Sequence, residues 1–198
     1  MQPRQRLFQT LRPSYPNVTR RAAALMAAVA LGTLAACGTP SSEEPLPPCP
    51  EARVLGDADH LVEFRDGPGR DVIDMEFDAE IVQLAGECAY SNGRSALAIS
   101  FFPAFRVTMG AADADRRAQF SYFVAVVRRS DSAILNKEVF DLTVVAPPNQ
   151  NQVRFRDNQI DLLLPLGEDE TGASFQLLLG FQLSEEQLQY NRRQAERR

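Results

Sequence analysis

The longest regular pattern in the chain begins at Ile73. Ile73, Met75, Phe77, Ala79 and Ile81 alternate with Asp74, Glu76, Asp78 and Glu80. A period of two places one set on the core and the other in water, so this segment is a strand of a sheet with one wet face. The phase then shifts, because Val82, Leu84 and Cys88 continue on the opposite parity. A one-residue bulge near Ile81-Val82 would return them to the core. Ser91-Asn92-Gly93 predicts a hairpin turn into a strand over Ser95–Phe102, which Pro103 is expected to end or to bend at an edge. Phe120–Arg129 and Ala133–Val145 flank Ser130-Asp131-Ser132, a second hairpin signal, with Phe120, Tyr122, Val124 and Val126 facing the same side as Phe140, Leu142 and Val144. Val153–Arg156, a turn at Asp157-Asn158 and Ile160–Leu164 follow. The last strand, Ala173–Leu183, keeps strict alternation through Phe175, Leu177, Leu179, Phe181 and Leu183. At Ser184 the period changes: Ser184-Glu185-Glu186-Gln187 is a capping box that opens a helix.

Seven or eight short strands with turn signals between them predict an all-β domain, an antiparallel β-sandwich over residues 51–198 with a short helix from about residue 184. The arrangement resembles the immunoglobulin and fibronectin III architecture in its layers only, since the chain has no Trp and its Cys spacing is not of the antibody type. A small closed β-barrel is the alternative, because Leu97, Ile99 and Phe101 interleave with Ala96 and Ala98, and Leu162-Leu163-Leu164 is apolar on both faces. The helix has little apolar surface, Leu188 and Tyr190, and carries Arg192, Arg193, Arg197 and Arg198 toward its end. Its turns after about Tyr190 are therefore expected to be mobile, and to act, if at all, as an electrostatic contact.

The first 36 residues have a different character. They contain no Asp or Glu, and Arg4, Arg6, Arg12, Arg20 and Arg21 precede an apolar run from Ala22 to Leu31 that extends to Leu34. A basic segment, an apolar run of this length and small residues at its end describe a secretory signal, too short for a mature membrane-spanning helix. Leu34-Ala35-Ala36-Cys37 resembles the lipobox of bacterial lipoproteins. The resemblance covers the signal alone and implies diacylglycerol on the Cys37 thiol, cleavage before Cys37 and a further acyl chain on the new amino group. Two or three chains make such an anchor effectively permanent, at roughly 0.8 kcal/mol per buried methylene. Gly38, where retained inner-membrane lipoproteins carry Asp, implies the outer membrane, with the domain facing the periplasm. Thr19-Arg20-Arg21 looks like part of a twin-arginine signal but is followed by Ala22-Ala23-Ala24 rather than a bulky apolar pair, so it is taken as ordinary basic sequence. Val18 sits where a compact signal would begin and is a candidate for the true translation start. Residues 37–50, rich in Pro, form an extended spacer between lipid and domain.

Removal of residues 1–36 leaves 16 basic against 26 acidic residues, a net charge of −10. Such a surface opposes nucleic acid, whose binding depends on phosphate neutralisation. Once Cys37 is lipidated, Cys49 and Cys88 remain as an even pair, expected to form a structural disulfide across a loop of about 40 residues, a contribution of about 4 kcal/mol in the chain-entropy account. No nucleophile motif, phosphate loop or paired His is present, so neither a cofactor nor a catalytic residue is assigned and no enzyme activity is expected. His60 in Asp57-Ala58-Asp59-His60 is taken as a surface residue. Glu168-Asp169-Glu170 and Asp113-Ala114-Asp115 are taken as solvated loops rather than metal sites, and Asp74, Glu76, Asp78 and Glu80 as a solvated sheet face. The expectation for the whole is a non-catalytic envelope lipoprotein, bound to the membrane through its N-terminal lipid and to an envelope protein through its domain. A small-molecule or lipid carrier with an apolar cavity is the alternative.

Overall fold

The computed structural model describes residues 47–197, so the signal segment, Val18, Cys37, most of the Pro-rich spacer and Arg198 lie outside the described residues. Nine strands and a C-terminal helix occupy the described part: β1 (Glu51–Val54), β2 (His60–Phe64), β3 (Met75–Ser91), β4 (Ala96–Met109), β5 (Arg117–Arg128), β6 (Ile134–Val145), β7 (Gln152–Arg156), β8 (Ile160–Pro165), β9 (Phe175–Phe181) and α1 (Glu185–Ala195). They form two sheets. One runs β1-β9-β5-β6; the other runs β2-β3-β4, with β7 and β8 both on the far side of β4. Neither closes on itself, so the closed-barrel alternative does not hold. Pairing is antiparallel except between β1 and β9, which are parallel, a departure from the all-antiparallel expectation.

The alternating residues meet between the sheets. Phe77, Ala79 and Ile81 of β3 and Phe105 and Val107 of β4 share one core with Phe120, Tyr122 and Val124 of β5 and with Phe175, Leu177, Leu179 and Phe181 of β9. The bulge falls where the phase shift places it: β3–β4 pairing slips between Ile81 and Gln83, Leu84 and Cys88 return to the core side, and Val82 itself is turned outward. The Asn92-Gly93 hairpin is also present, with Asn92, Gly93 and Arg94 all at positive φ.

Pro103 does not end its strand. β4 runs through it to Met109, and Pro103 is fully buried. Met109 N–H, on the same strand side as the Pro103 nitrogen, points toward β7. The donor that proline lacks would therefore point toward β7 and β8, at the gap between them. Ala104–Thr108 pair with β7 and Ala96–Phe101 with β8, so among the described residues no strand residue on that side is opposite Pro103. Its carbonyl accepts from Asp157 N–H across that gap, at 2.9 Å. The expected turn at Asp157-Asn158 is accordingly not a reversal: β7 and β8 run in one direction along β4, separated by a three-residue break.

Ile73 corrects the start of the β3 pattern. Residues 72–74 form a 3-10 turn in which Val72 and Ile73 are 77% and 68% exposed, while Asp74 is buried and paired with Arg65. Gly69 permits this, since a Cβ there would lie 2.3 Å from an Asp74 carboxylate oxygen.

The C-terminal helix follows its capping box, Ser184 accepting from Gln187 N–H, but its later turns are docked. Tyr190 packs edge-on against Phe64 at 5.4 Å, and Asn191 Nδ2 donates to the carbonyls of Asp57 and His60 at 3.0 and 2.7 Å. Arg192 pairs with Asp57 at 3.1 Å. The expectation of free turns after Tyr190 does not hold at Asn191 and Arg192, where polar contacts to two backbone carbonyls and to the Asp57 carboxylate replace the missing apolar ones.

Cys49 and Cys88 are joined in a disulfide, with Cα atoms 5.9 Å apart. The bond links the approach to β1, in one sheet, to β3 in the other. The end of the spacer packs as well: Tyr90 Oη donates to the Pro48 carbonyl at 2.8 Å and accepts from Gly172 N–H at 2.6 Å. Only glycine fits at 172, where a Cβ would come 2.3 Å from the Pro48 oxygen.

Candidate functional site: the β6 edge and the face beside it

β6 is a twelve-residue strand at the end of its sheet, paired on one side only among the described residues. Ala146 N–H donates to the Arg116 carbonyl, and the β5–β6 register then continues unbroken from Val145 to Asn136. Even-numbered residues of this stretch therefore bond to β5. Odd-numbered residues, Lys137, Val139, Asp141, Thr143 and Val145, direct N–H and C=O groups to the open side. An open edge of this length is a template for another strand. Its side chains reinforce the point: Ile134, Val139 and Val145 are 64%, 51% and 58% exposed.

The sheet face next to this edge carries Phe123 opposite Val139, and Ala125 opposite Lys137. Lys137 Nζ lies 4.4 Å from the centre of the Phe123 ring and bonds Gln182 at 3.1 Å. Asp141 accepts from Ser121 Oγ at 2.5 Å. The edge thus combines exposed apolar residues with one fixed cation and one fixed anion, four positions apart on the same face.

The second sheet has a polar outer face that is less wet than its sequence implies. Glu80 accepts from Arg106 at 2.8 Å and lies 4.0 Å from His60 Nε2, whose Nδ1 meets Asp59 at 2.9 Å. Asp78 sits among these groups, half-buried beside the helix, and its Oδ1 is buried without a hydrogen-bond partner among the described residues. Burial holds its carboxyl above the usual range; His60 and Arg106 oppose the shift and Glu80 adds to it. Burial, and then Glu76, raise Glu63 in the same way, against a 2.8 Å bond from Gln187. The solvated acidic face is thus corrected: the helix and Arg106 cover much of it.

Because the folded state binds the Asp78 proton more tightly than the unfolded chain, stability falls as pH rises from the unfolded carboxylate value through the folded one. The loss persists above that range. Asp78→Asn is expected to raise the melting temperature at pH 7 by ~2–3 °C and to flatten the profile on the acid side. A lower melting temperature at pH 7 would mean that Arg106 and His60 more than compensate the buried charge.

Other candidates have ordinary surroundings. Glu170 accepts from Gly167 N–H at 2.9 Å and meets Arg128 at 3.3 Å, closing its loop. Asp113 accepts from the N–H groups of Asp115 and Arg116 at 3.1 and 2.8 Å. Among the described residues no group of three His, Cys, Asp or Glu is placed to hold a metal ion. An apolar cleft of about 170 Å³ opens beside the disulfide, lined by Leu84, Ile99, Phe101 and Leu177. That is below the roughly 300–1,000 Å³ of small-molecule pockets. Leu163, from the run apolar on both faces, is turned to solvent. The β6 edge was not singled out from sequence, where odd and even positions of the strand carry apolar and charged residues alike. No family model matches the chain, and no curated protein or solved structure matches it.

Proposed function

We propose that this protein is a lipid-anchored, non-catalytic module of the cell envelope whose domain binds another protein by strand addition at β6. The observation that carries the interaction is the open twelve-residue edge with Ile134, Val139 and Val145 exposed along it. Main-chain groups on such an edge supply affinity, and alternate side chains supply selectivity. The anchor rests on Leu34-Ala35-Ala36-Cys37 and the basic, apolar segment before it. Gly38 favours the outer membrane, with the domain in the periplasm at the end of a Pro-rich spacer. The platform is a β-sandwich of immunoglobulin or fibronectin III kind in its two-layer arrangement. Its strand order is its own, since β2, β3 and β4 lie side by side in one sheet.

Two variants of the full chain test the two halves. Cys37→Ser should abolish partitioning into a detergent phase and leave an unprocessed or differently cleaved product. A variant of mature mass that still partitions as a lipoprotein overturns the anchor. Val139→Pro removes an N–H that faces the open side, so pairing with β5 should survive. It should erase protein crosslinks formed by the wild type in native membranes. An unchanged crosslink pattern overturns binding at the edge.

A further inference from the structure

The partner of the β6 edge is open on the proposal above, and the edge itself constrains it. In an antiparallel encounter, outward-facing residues of one strand must lie opposite outward-facing residues of the other, because only they offer free N–H and C=O groups. For β6 these are the odd-numbered positions derived from the Ala146–Arg116 bond and the unbroken register. The requirement leaves a short series of registers for two copies of this strand. Centring the pair on residue 137 opposes Lys137 to itself, and centring it on 141 opposes Asp141 to itself; both are repulsive. Centring between 137 and 139, or between 139 and 141, leaves both charges opposite uncharged residues. Centring on 139 places Val139 against Val139, with Lys137 opposite Asp141 on both sides of the axis.

We infer that β6 pairs with β6 of a second copy in this register, giving a two-fold dimer with one sheet running through both subunits. Val139, Lys137 and Asp141 form three facing pairs, each exchanging two main-chain hydrogen bonds. On the outer sheet face, Phe123 and Val139 of one copy continue into Val139 and Phe123 of the other, so the exposed Val139 side chains lie against each other at the seam. Charge complementarity selects a second copy over an arbitrary strand: one cation and one anion, equally spaced about a valine, match their own reverse. The bulge at Leu135, where the β5–β6 register slips, limits the pairing on that side. Such a contact is small, below the size of a stable standard interface. Two-dimensional confinement of anchored chains would raise its occupancy.

Cysteine crosslinking of the full chain in intact cells tests the register. Facing residues of a hydrogen-bonded antiparallel pair have Cα atoms about 5.5 Å apart, within disulfide reach. With copper phenanthroline, Val139→Cys should give a covalent dimer on a non-reducing gel. Val145→Cys should not, because its two thiols would be separated by about 40 Å. In the Val139→Cys background, Lys137→Asp and Asp141→Lys should each lower the dimer yield about tenfold, and the two together should restore it. A Val139→Cys chain that stays monomeric, crosslinks equally at 145, or is indifferent to the charge reversals overturns self-pairing. If Val139→Cys instead joins a different protein, self-pairing falls while strand addition at β6 stands. If it joins nothing and Val139→Pro leaves the wild-type crosslinks unchanged, both fall.

Discussion

Phe105→Ala is expected to destabilise the domain by about 4 kcal/mol, a large part of the stability of an ordinary domain. Phe105 has no solvent exposure and stands on β4 at the meeting of the two sheets. Its ring lies 5.0 Å from Tyr122, 5.8 Å from Phe120 and 6.0 Å from Phe181, all in the opposite sheet, and 5.4 Å from Phe155 in its own. Removing it takes away transferred apolar surface and leaves a cavity whose walls are themselves rigid rings on three strands, so little collapse is available. Phe105→Leu, which keeps most of the volume, should lose less than half as much. Chemical denaturation with an unchanged slope would measure both values. A loss below about 1 kcal/mol for Phe105→Ala would show that the sheets are not held together at this point.

Tyr122 shows why the rings are not equivalent. It is fully buried and stacks on Phe140, yet its hydroxyl donates to Asp157 at 2.6 Å. Burial, followed by that bond and the Asp157 charge, raises its hydroxyl far above the ordinary tyrosine value. Asp157 also ties its own N–H to the Pro103 carbonyl. One loop residue therefore secures the break between β7 and β8 from both sides, joining the buried ring to the proline that spans the gap.

The strands from β3 onward were legible in the sequence, and β1 and β2 were not. β5 and β9 alternate cleanly because one side meets the core. β2 offers no such pattern: Leu61 enters the core, while Phe64, on the opposite side, is taken up by Tyr190 of the helix. β1 is four residues long and owes its place to parallel pairing with β9, which alternation cannot announce. Ile73 extended an apparent pattern into a turn, because exposure of Val72 and Ile73 is decided by the buried Asp74 and its pairing with Arg65, not by period. Pro103 misled for the complementary reason. A proline in a central strand is excluded only where its missing donor has a partner, and here the neighbouring edge changes strands at that point. The β6 edge was hidden at a deeper level: which strand is last in a sheet depends on the order of pairing, and the strand's own residues carry no mark of it.

Cys88→Ser, by contrast, tests a contact whose partners were readable from composition alone. The Cys49–Cys88 bond closes a loop with a sequence separation of 39, and its loss should lower stability by about 4 kcal/mol in the chain-entropy account. For a domain of this size that is a fall of roughly 10 °C in melting temperature. The native contacts point the same way. Cys49 lies between Pro48 and Pro50 at the approach to β1, the shortest strand of its sheet, while Cys88 is on β3 of the other sheet. Without the bond, that approach is held by the Tyr90–Pro48 contact at 2.8 Å and by four residues of parallel pairing. β1 should therefore loosen before the rest unfolds, and its amide protons should exchange faster than those of β5. Cys49→Ser should match Cys88→Ser, and the double variant should lose no more than either alone, since one bond is removed in each case. Peptide mapping without reductant should recover Cys49 linked to Cys88 in the wild type. Free thiols at both positions in protein taken from cells, or an additive double variant, would show that the bond is not what secures β1.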